Sequence, residues 1–139
     1  MTVDNLLKRG ISKPEACVFC SDNESVNHLF FDCVVARKMW CYVDCYASYK
    51  IHNYESLACK WLHGQKSDCL NTISAGVLWG LWLSRNDMIF RNQTWQDIKT
   101  LLRRIWRCML TWRLIFQGSL EAGVTQWCNF LEASLKAPL

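Results

Sequence analysis

Three cysteines and one histidine stand at a spacing that can hold a metal ion. Cys17 and Cys20 are separated by two residues, His28 follows after seven more, and Cys33 lies five positions beyond His28. A Cys-x2-Cys turn presents both sulfurs to one ion, and the histidine and the third cysteine complete a tetrahedron. Thiolate and imidazole ligands favour Zn²⁺, whereas Ca²⁺ and Mg²⁺ prefer oxygen. The pattern predicts a closed structural zinc site, with chance spacing as the alternative.

The chain contains nine cysteines, and most of the others are predicted to be small buried hydrophobes. Cys41 and Cys45 share one helix face, and with His52 or His63 they could bind a second metal ion, although this spacing matches no common site. The cysteines outside the predicted zinc site are Cys41, Cys45, Cys59, Cys69, Cys108 and Cys128.

The composition favours a single globular domain rather than a disordered chain. Of 139 residues, 51% are hydrophobic and 13% are aromatic, so a sizeable core can form. We expect a zinc-binding module at residues 1–50 and a helical region at 51–139, together forming one continuous unit. An odd number of cysteines without a signal peptide predicts an intracellular protein, in the cytoplasm or nucleus, with reduced thiols. The apolar run at 73–83 is too short to span a membrane.

Hydrophobic periodicity predicts an all-α fold. In the N-terminal part, Thr2 is expected to cap a helix at 3–9, and Ser25 a helix with His28 in its first turn. A further helix follows Cys33, and another runs from Ser56 to residue 62. No alternating strand pattern of useful length is present.

Two long amphipathic helices are predicted to form an antiparallel hairpin. The first spans about 70–90; the second begins at a capping box over residues 94–97 and ends near 117, before Gly118. Gly123 is expected in the next turn, with Thr125 capping the last helix. The predicted core positions of the two long helices are Ile73, Val77, Leu81, Arg85, Met88, Ile98, Leu101, Leu102, Ile105, Met109, Trp112 and Phe116.

The second long helix carries a basic face. Arginine beside tryptophan can contact phosphates and stack on bases, so the face could bind nucleic acid. The alternative is a solvated face of an amphipathic helix, and the net charge of +4 does not by itself require nucleic acid. The basic residues of this helix are Lys99, Arg103, Arg104, Arg107 and Arg113, of which the first four are the candidate phosphate contacts.

Eight tryptophans are many for a chain of this length. Trp79 and Trp82 are neighbours on the surface of the first long helix, and Trp106 lies beside the apolar stripe of the second. These three residues are candidates for an interface with a protein partner or a second copy of the chain. The alternative is that they pack within one monomer.

Residue patterns that would indicate catalysis are missing from the sequence. It shows no nucleophile and base at a recognisable spacing, no glycine-rich phosphate loop and no paired carboxylates. We therefore predict a non-catalytic protein without a small-molecule substrate.

Several segments resemble one protein family. LLKRGI at 6–11, CVFC at 17–20, ESVNHLFFDC at 24–33 and ARKMW at 36–40 look like the zinc-binding domain of plant non-LTR (LINE-type) retrotransposon polyproteins. LWGLWLSRNDMIF at 78–90 resembles the helix that follows this domain. By this resemblance Cys17, Cys20, His28 and Cys33 are the metal ligands. The catalytic acids of the family's reverse transcriptase, endonuclease and ribonuclease H regions are not found here, so the resemblance implies no polymerase activity.

The resemblance leaves two functional hypotheses. In the first, a transposon-derived protein acts as an interaction or oligomerisation module, because a piece of a polyprotein exposes apolar surface that its neighbours once covered. It could compete with an intact relative. In the second, it is a nucleic-acid-binding accessory domain of a reverse transcriptase. The opening methionine and the capped last helix favour a complete product over an excised domain.

Overall fold

The computed structural model describes residues 5, 8–10, 16–62 and 68–138. Within these ranges the regular structure is helical, apart from one isolated β-bridge between Ala16 and Asn23, and this confirms the predicted all-α class. The helix predicted at 3–9 lies largely outside the described residues, as does His63. The helices are α1 (His28–Asp32, a π-helix), α2 (Val34–Ala47), α3 (Tyr54–Leu62), α4 (Asp68–Phe90), α5 (Ile98–Arg113) and α6 (Gly118–Lys136).

Helices α4 and α5 form the predicted antiparallel hairpin. Gly76 of α4 faces Met109 of α5, whereas Gly80, one turn later, faces Ile105, one turn earlier. The two helices therefore run in opposite directions. No helix in the described part of the chain has both the length and the apolar character needed to cross a membrane.

The start of α5 differs from the prediction. A capping box over residues 94–97 would begin the helix at Thr94, but residues 91–97 are not helical. Asp97 is the N-cap, and its carboxylate accepts a hydrogen bond of 2.7 Å from the backbone N–H of Thr100. The helix also ends at Arg113, before the predicted residue 117. The short aspartate side chain reaches the free N–H groups directly, so no upstream threonine is needed.

The start of α3 also moves, from Ser56 to Tyr54. The side chain of Asn53 accepts from the N–H of Ser56 at 2.8 Å, and the hydroxyl of Ser56 accepts from the N–H of Asn53 at 3.2 Å. These reciprocal bonds form a capping box, in which Ser56 is the interior member.

Helix α6 begins seven positions earlier than Thr125, the cap predicted from sequence, because it starts at Gly118. Gly118 has a φ of +64°, which suits a glycine at the entry to the helix. Gly123 lies inside α6 rather than in a turn, and a Cβ there would stand 2.7 Å from Sγ of Cys69. Tertiary packing against the start of α4 therefore overrides the low helix propensity of glycine.

One hydrophobic core joins the helices and the metal-binding segment. Buried residues of this core come from both sides of residue 50, including Cys17 and Phe31 on one side and Trp127 on the other. The division at residue 50 stays a prediction. The predicted core positions that are buried are Ile73, Val77, Leu81, Arg85, Leu101, Leu102, Ile105 and Met109, while Met88, Ile98, Trp112 and Phe116 are partly buried.

Candidate metal centre

The first two candidate ligands lie on a tight turn. The backbone N–H of Phe19 donates to Sγ of Cys17 at 3.4 Å, and the N–H of Ser21 donates to the carbonyl of Cys17 at 3.0 Å. Ser21 has a φ of 69°, which turns the chain back on itself. The turn thus orients the sulfurs of Cys17 and Cys20 toward the same point.

The other two ligands are held at the two ends of a π-helical turn. The hydroxyl of Ser25 accepts from the N–H of His28 at 3.0 Å, so Ser25 has the predicted capping role. The N–H of Cys33 then donates to the carbonyl of His28 at 2.8 Å, which closes an i to i+5 turn. Such wide turns are frequent at functional sites. The sequence predicted an ordinary helix here, whereas the structure has a π-helix. The five-residue spacing between His28 and Cys33 matches the i to i+5 turn and could have indicated it.

The four ligand atoms meet in one small volume. All lie within 4.8 Å of one another, and within the described ranges they are the one group of this kind. The sulfurs of Cys17 and Cys33 are 3.9 Å apart, and Sγ of Cys20 is 3.2 Å from Nε2 of His28. A tetrahedral zinc ion with ordinary bond lengths places such pairs roughly 3.8 and 3.6 Å apart. The arrangement therefore fits a four-coordinate metal ion.

The thiols of this cluster influence one another's ionisation. The Cys33 thiol hydrogen-bonds to Cys17, which lowers the pKa of Cys17 and raises the pKa of Cys33. Burial raises the pKa of Cys20. Three thiolates at such short distances repel one another, so all three can be deprotonated together only beside a cation. The donor set thus fits a soft divalent ion.

A buried ion pair joins the metal loop to α4. Arg85 donates to the two carboxylate oxygens of Glu24 at 2.7 and 3.2 Å, and both side chains are fully shielded from solvent. Glu24 lies between the ligands Cys20 and His28 in the sequence. We did not predict this ion pair from the sequence. The position of Arg85 on the apolar face of α4 could have indicated that it needs a buried acidic partner.

Aromatic contacts also join the metal-binding segment to the α4–α5 hairpin. The rings of Phe19 and Trp95 meet edge to face at 5.2 Å, and the ring of Phe30 lies 6.5 Å from that of Trp82. Trp95 belongs to the segment between α4 and α5. The metal-binding loop is therefore packed against the helices rather than projecting from them.

The predicted phosphate contacts divide into two kinds. Lys99 donates to the carbonyls of Leu135 and Ala137 at the end of α6, and Arg104 pairs with Asp87 of α4. Arg103 and Arg107 are exposed. Nucleic-acid binding by these four residues stays a prediction.

The candidate interface tryptophans also differ in exposure. Trp79 is 45% exposed, while Trp82 and Trp106 are partly buried. Trp106 packs against the hydrophobic core. Trp79 and Trp82 border a groove of about 500 Å³ lined by residues of α1, α4 and α5, which we call the aromatic face. Its residues are Phe30, Ala75, Leu78, Trp79, Trp82 and Trp112.

The prediction that most remaining cysteines are buried is wrong. Among them only Cys128 is buried, whereas Cys41, Cys45 and Cys59 are exposed. Cys41 and Cys45 point away from the core on α2. Within the described residues they form no metal-binding group with His52.

Comparison with known proteins gives one family match. Residues 1–40 match the family described as zinc-binding in reverse transcriptase. Curated proteins and solved structures gave no significant match to the chain. The matched segment contains all four ligand positions. The match confirms the family resemblance over residues 1–40, which are similar to the zinc-binding domain of reverse transcriptases.

Proposed function

We propose that the protein is a non-catalytic, transposon-derived interaction module built around a structural zinc ion. Cys17, Cys20, His28 and Cys33 would hold the ion. Four protein ligands complete its tetrahedral shell, so the ion would contribute folding energy rather than activate water. The aromatic face is the observation that carries the interaction role.

The character of the aromatic face supports a second copy of the chain as its occupant. All of its residues are uncharged, although the chain as a whole has a net charge of +4. Two copies related by a two-fold axis bring identical surfaces together, and an uncharged surface avoids like-charge repulsion. Tryptophans at the centre of such a surface are typical of residues that dominate binding energy. An intact reverse transcriptase with the same face would be open to competition from this chain.

The mass in solution tests this proposal. Light scattering on the zinc-loaded chain at high micromolar concentration should give twice the 16.3 kDa of one chain. Trp79→Glu should reduce it to one chain. Val34→Glu is the matched control, because Val34 is 65% exposed and lies outside the aromatic face. A single-chain mass for the unmodified protein would refute self-association.

The second candidate function is an accessory role in nucleic-acid binding. The exposure of Arg103 and Arg107 favours it, although Lys99 and Arg104 are engaged within the chain. A gel-shift series over salt concentration separates the two functions. Phosphate contacts would make the affinity fall steeply as salt rises, whereas an interaction module should give no shift.

A further inference from the structure

The metal-binding loop supplies the carboxylate of Glu24, which is the partner of the buried Arg85 on α4. Arg85 lies in the interior of the fold with none of its side chain exposed, and Glu24 neutralises its charge. A charge buried to this extent is tolerated only with a well-placed partner. The ligands Cys20 and His28 flank Glu24, so a bound ion would fix the loop segment that positions it.

The same loop also supports the aromatic face. The guanidinium carbon of Arg85 lies 5.5 Å from the ring centre of Trp82, and Trp82 lines the aromatic face. Phe30 contacts Trp82 from α1 and is itself part of the face. Phe30 follows the ligand His28 by two positions. Two contacts of Trp82 therefore depend on the metal-binding segment, one directly and one through Glu24.

We infer that metal occupancy controls the aromatic face through Glu24, Arg85 and Trp82. With the ion bound, Glu24 neutralises Arg85, and Phe30 and Arg85 hold Trp82 in place. Without the ion, the loop no longer fixes Glu24 and Phe30, the charge of Arg85 loses its partner, and the second half of α4 loosens. The biological meaning rests on the proposed function, whereas the coupling itself is a property of a single chain.

Hydrogen exchange followed by mass spectrometry tests the coupling. In the zinc-loaded full-length Glu24→Gln variant, peptides covering 78–86 should exchange on the order of tenfold faster than in the unmodified protein. Glu121→Gln is the control, because Glu121 is exposed on α6. Zinc content should stay unchanged in both variants, since neither residue is a predicted ligand. Unchanged exchange at 78–86 in Glu24→Gln would overturn the inference.

A double variant separates the coupling from general damage. Glu24→Gln with Arg85→Met removes both buried charges, so exchange at 78–86 should return toward the unmodified rate in the zinc-loaded chain. A double variant that exchanges as fast as Glu24→Gln would contradict the role of the ion pair.

Removal of zinc from the unmodified protein with a chelator tests the effect of metal occupancy itself. Peptides covering 78–86 should then also exchange faster, and faster exchange confined to residues 16–33 would overturn the inference. Unfolding of the whole chain on chelation would also overturn the inference, because the ion would then control the fold as a whole rather than this face. A single-chain mass in light scattering would refute self-association and leave these exchange results interpretable, so the two proposals can fail separately.

Discussion

Substitution of Gly80 by alanine tests the close approach of α4 and α5. Alanine in place of glycine in a helix interior contributes about 1 kcal/mol through helix propensity. At Gly80, however, the added Cβ would overlap Cγ1 of Ile105. Ile105 is fully buried, and its β-branched side chain is stiff, so it cannot turn away. Overpacking of this kind costs roughly 1–3 kcal/mol. Because the overlap is severe, we place Gly80→Ala at the upper end of that range.

The expected net effect of Gly80→Ala is a loss of about 1–2 kcal/mol in the free energy of unfolding. Gly76→Ala is the matched control on the same helix face, where the added Cβ would meet Sδ of Met109. The flexible methionine can repack, so the net change there should be close to zero. Urea denaturation of the zinc-loaded proteins, followed by circular dichroism, measures both. A Gly80→Ala protein as stable as the unmodified protein would refute the packing argument.

Two further predictions concern the core and the start of α5. Leu101→Ala should lower the free energy of unfolding by about 2–5 kcal/mol, whereas Leu114→Ala, at a residue that is 79% exposed, should change it by less than about 0.5 kcal/mol. Equal urea midpoints would place Leu101 outside the core. Asp97→Ala should lower the midpoint at pH 7, while Asp97→Asn, which keeps a capping oxygen, should lower it less. Hydrogen bonds from Thr100 lower the pKa of Asp97, so its contribution is present above about pH 4 and is lost as the pH falls through the folded-state pKa. A gap between the unmodified and alanine proteins that does not narrow as the pH falls below about 4 would contradict this role.

The clustering of the four candidate ligands and the long helices could be predicted because their signals are local. The Cys-x2-Cys turn and the cap at Ser25 depend on neighbouring residues, and both occur as expected. The stripe that includes Leu101 and Ile105 repeats with the helical period, and those residues are buried. Local signals of this kind do not depend on how the chain folds over long distances.

Long-range packing explains what the sequence could not show. Gly123 was expected in a turn, but the approach of Cys69 from α4 makes it a helix residue. The ion pair between Glu24 and Arg85 joins residues 61 positions apart, and no local pattern identifies which acid meets which base. The aromatic face likewise combines residues of α1, α4 and α5, so Trp112 became a candidate interface residue only through the fold.

The zinc content of the purified full-length chain tests the central claim most directly. Elemental analysis should find about one zinc ion per chain, as four protein ligands require. Cys33→Ser should lose most of that zinc, whereas Cys41→Ser, at an exposed cysteine outside the cluster, should retain it. Well under one zinc ion per chain with the helical fold intact, or full retention in Cys33→Ser, would contradict the proposed metal centre.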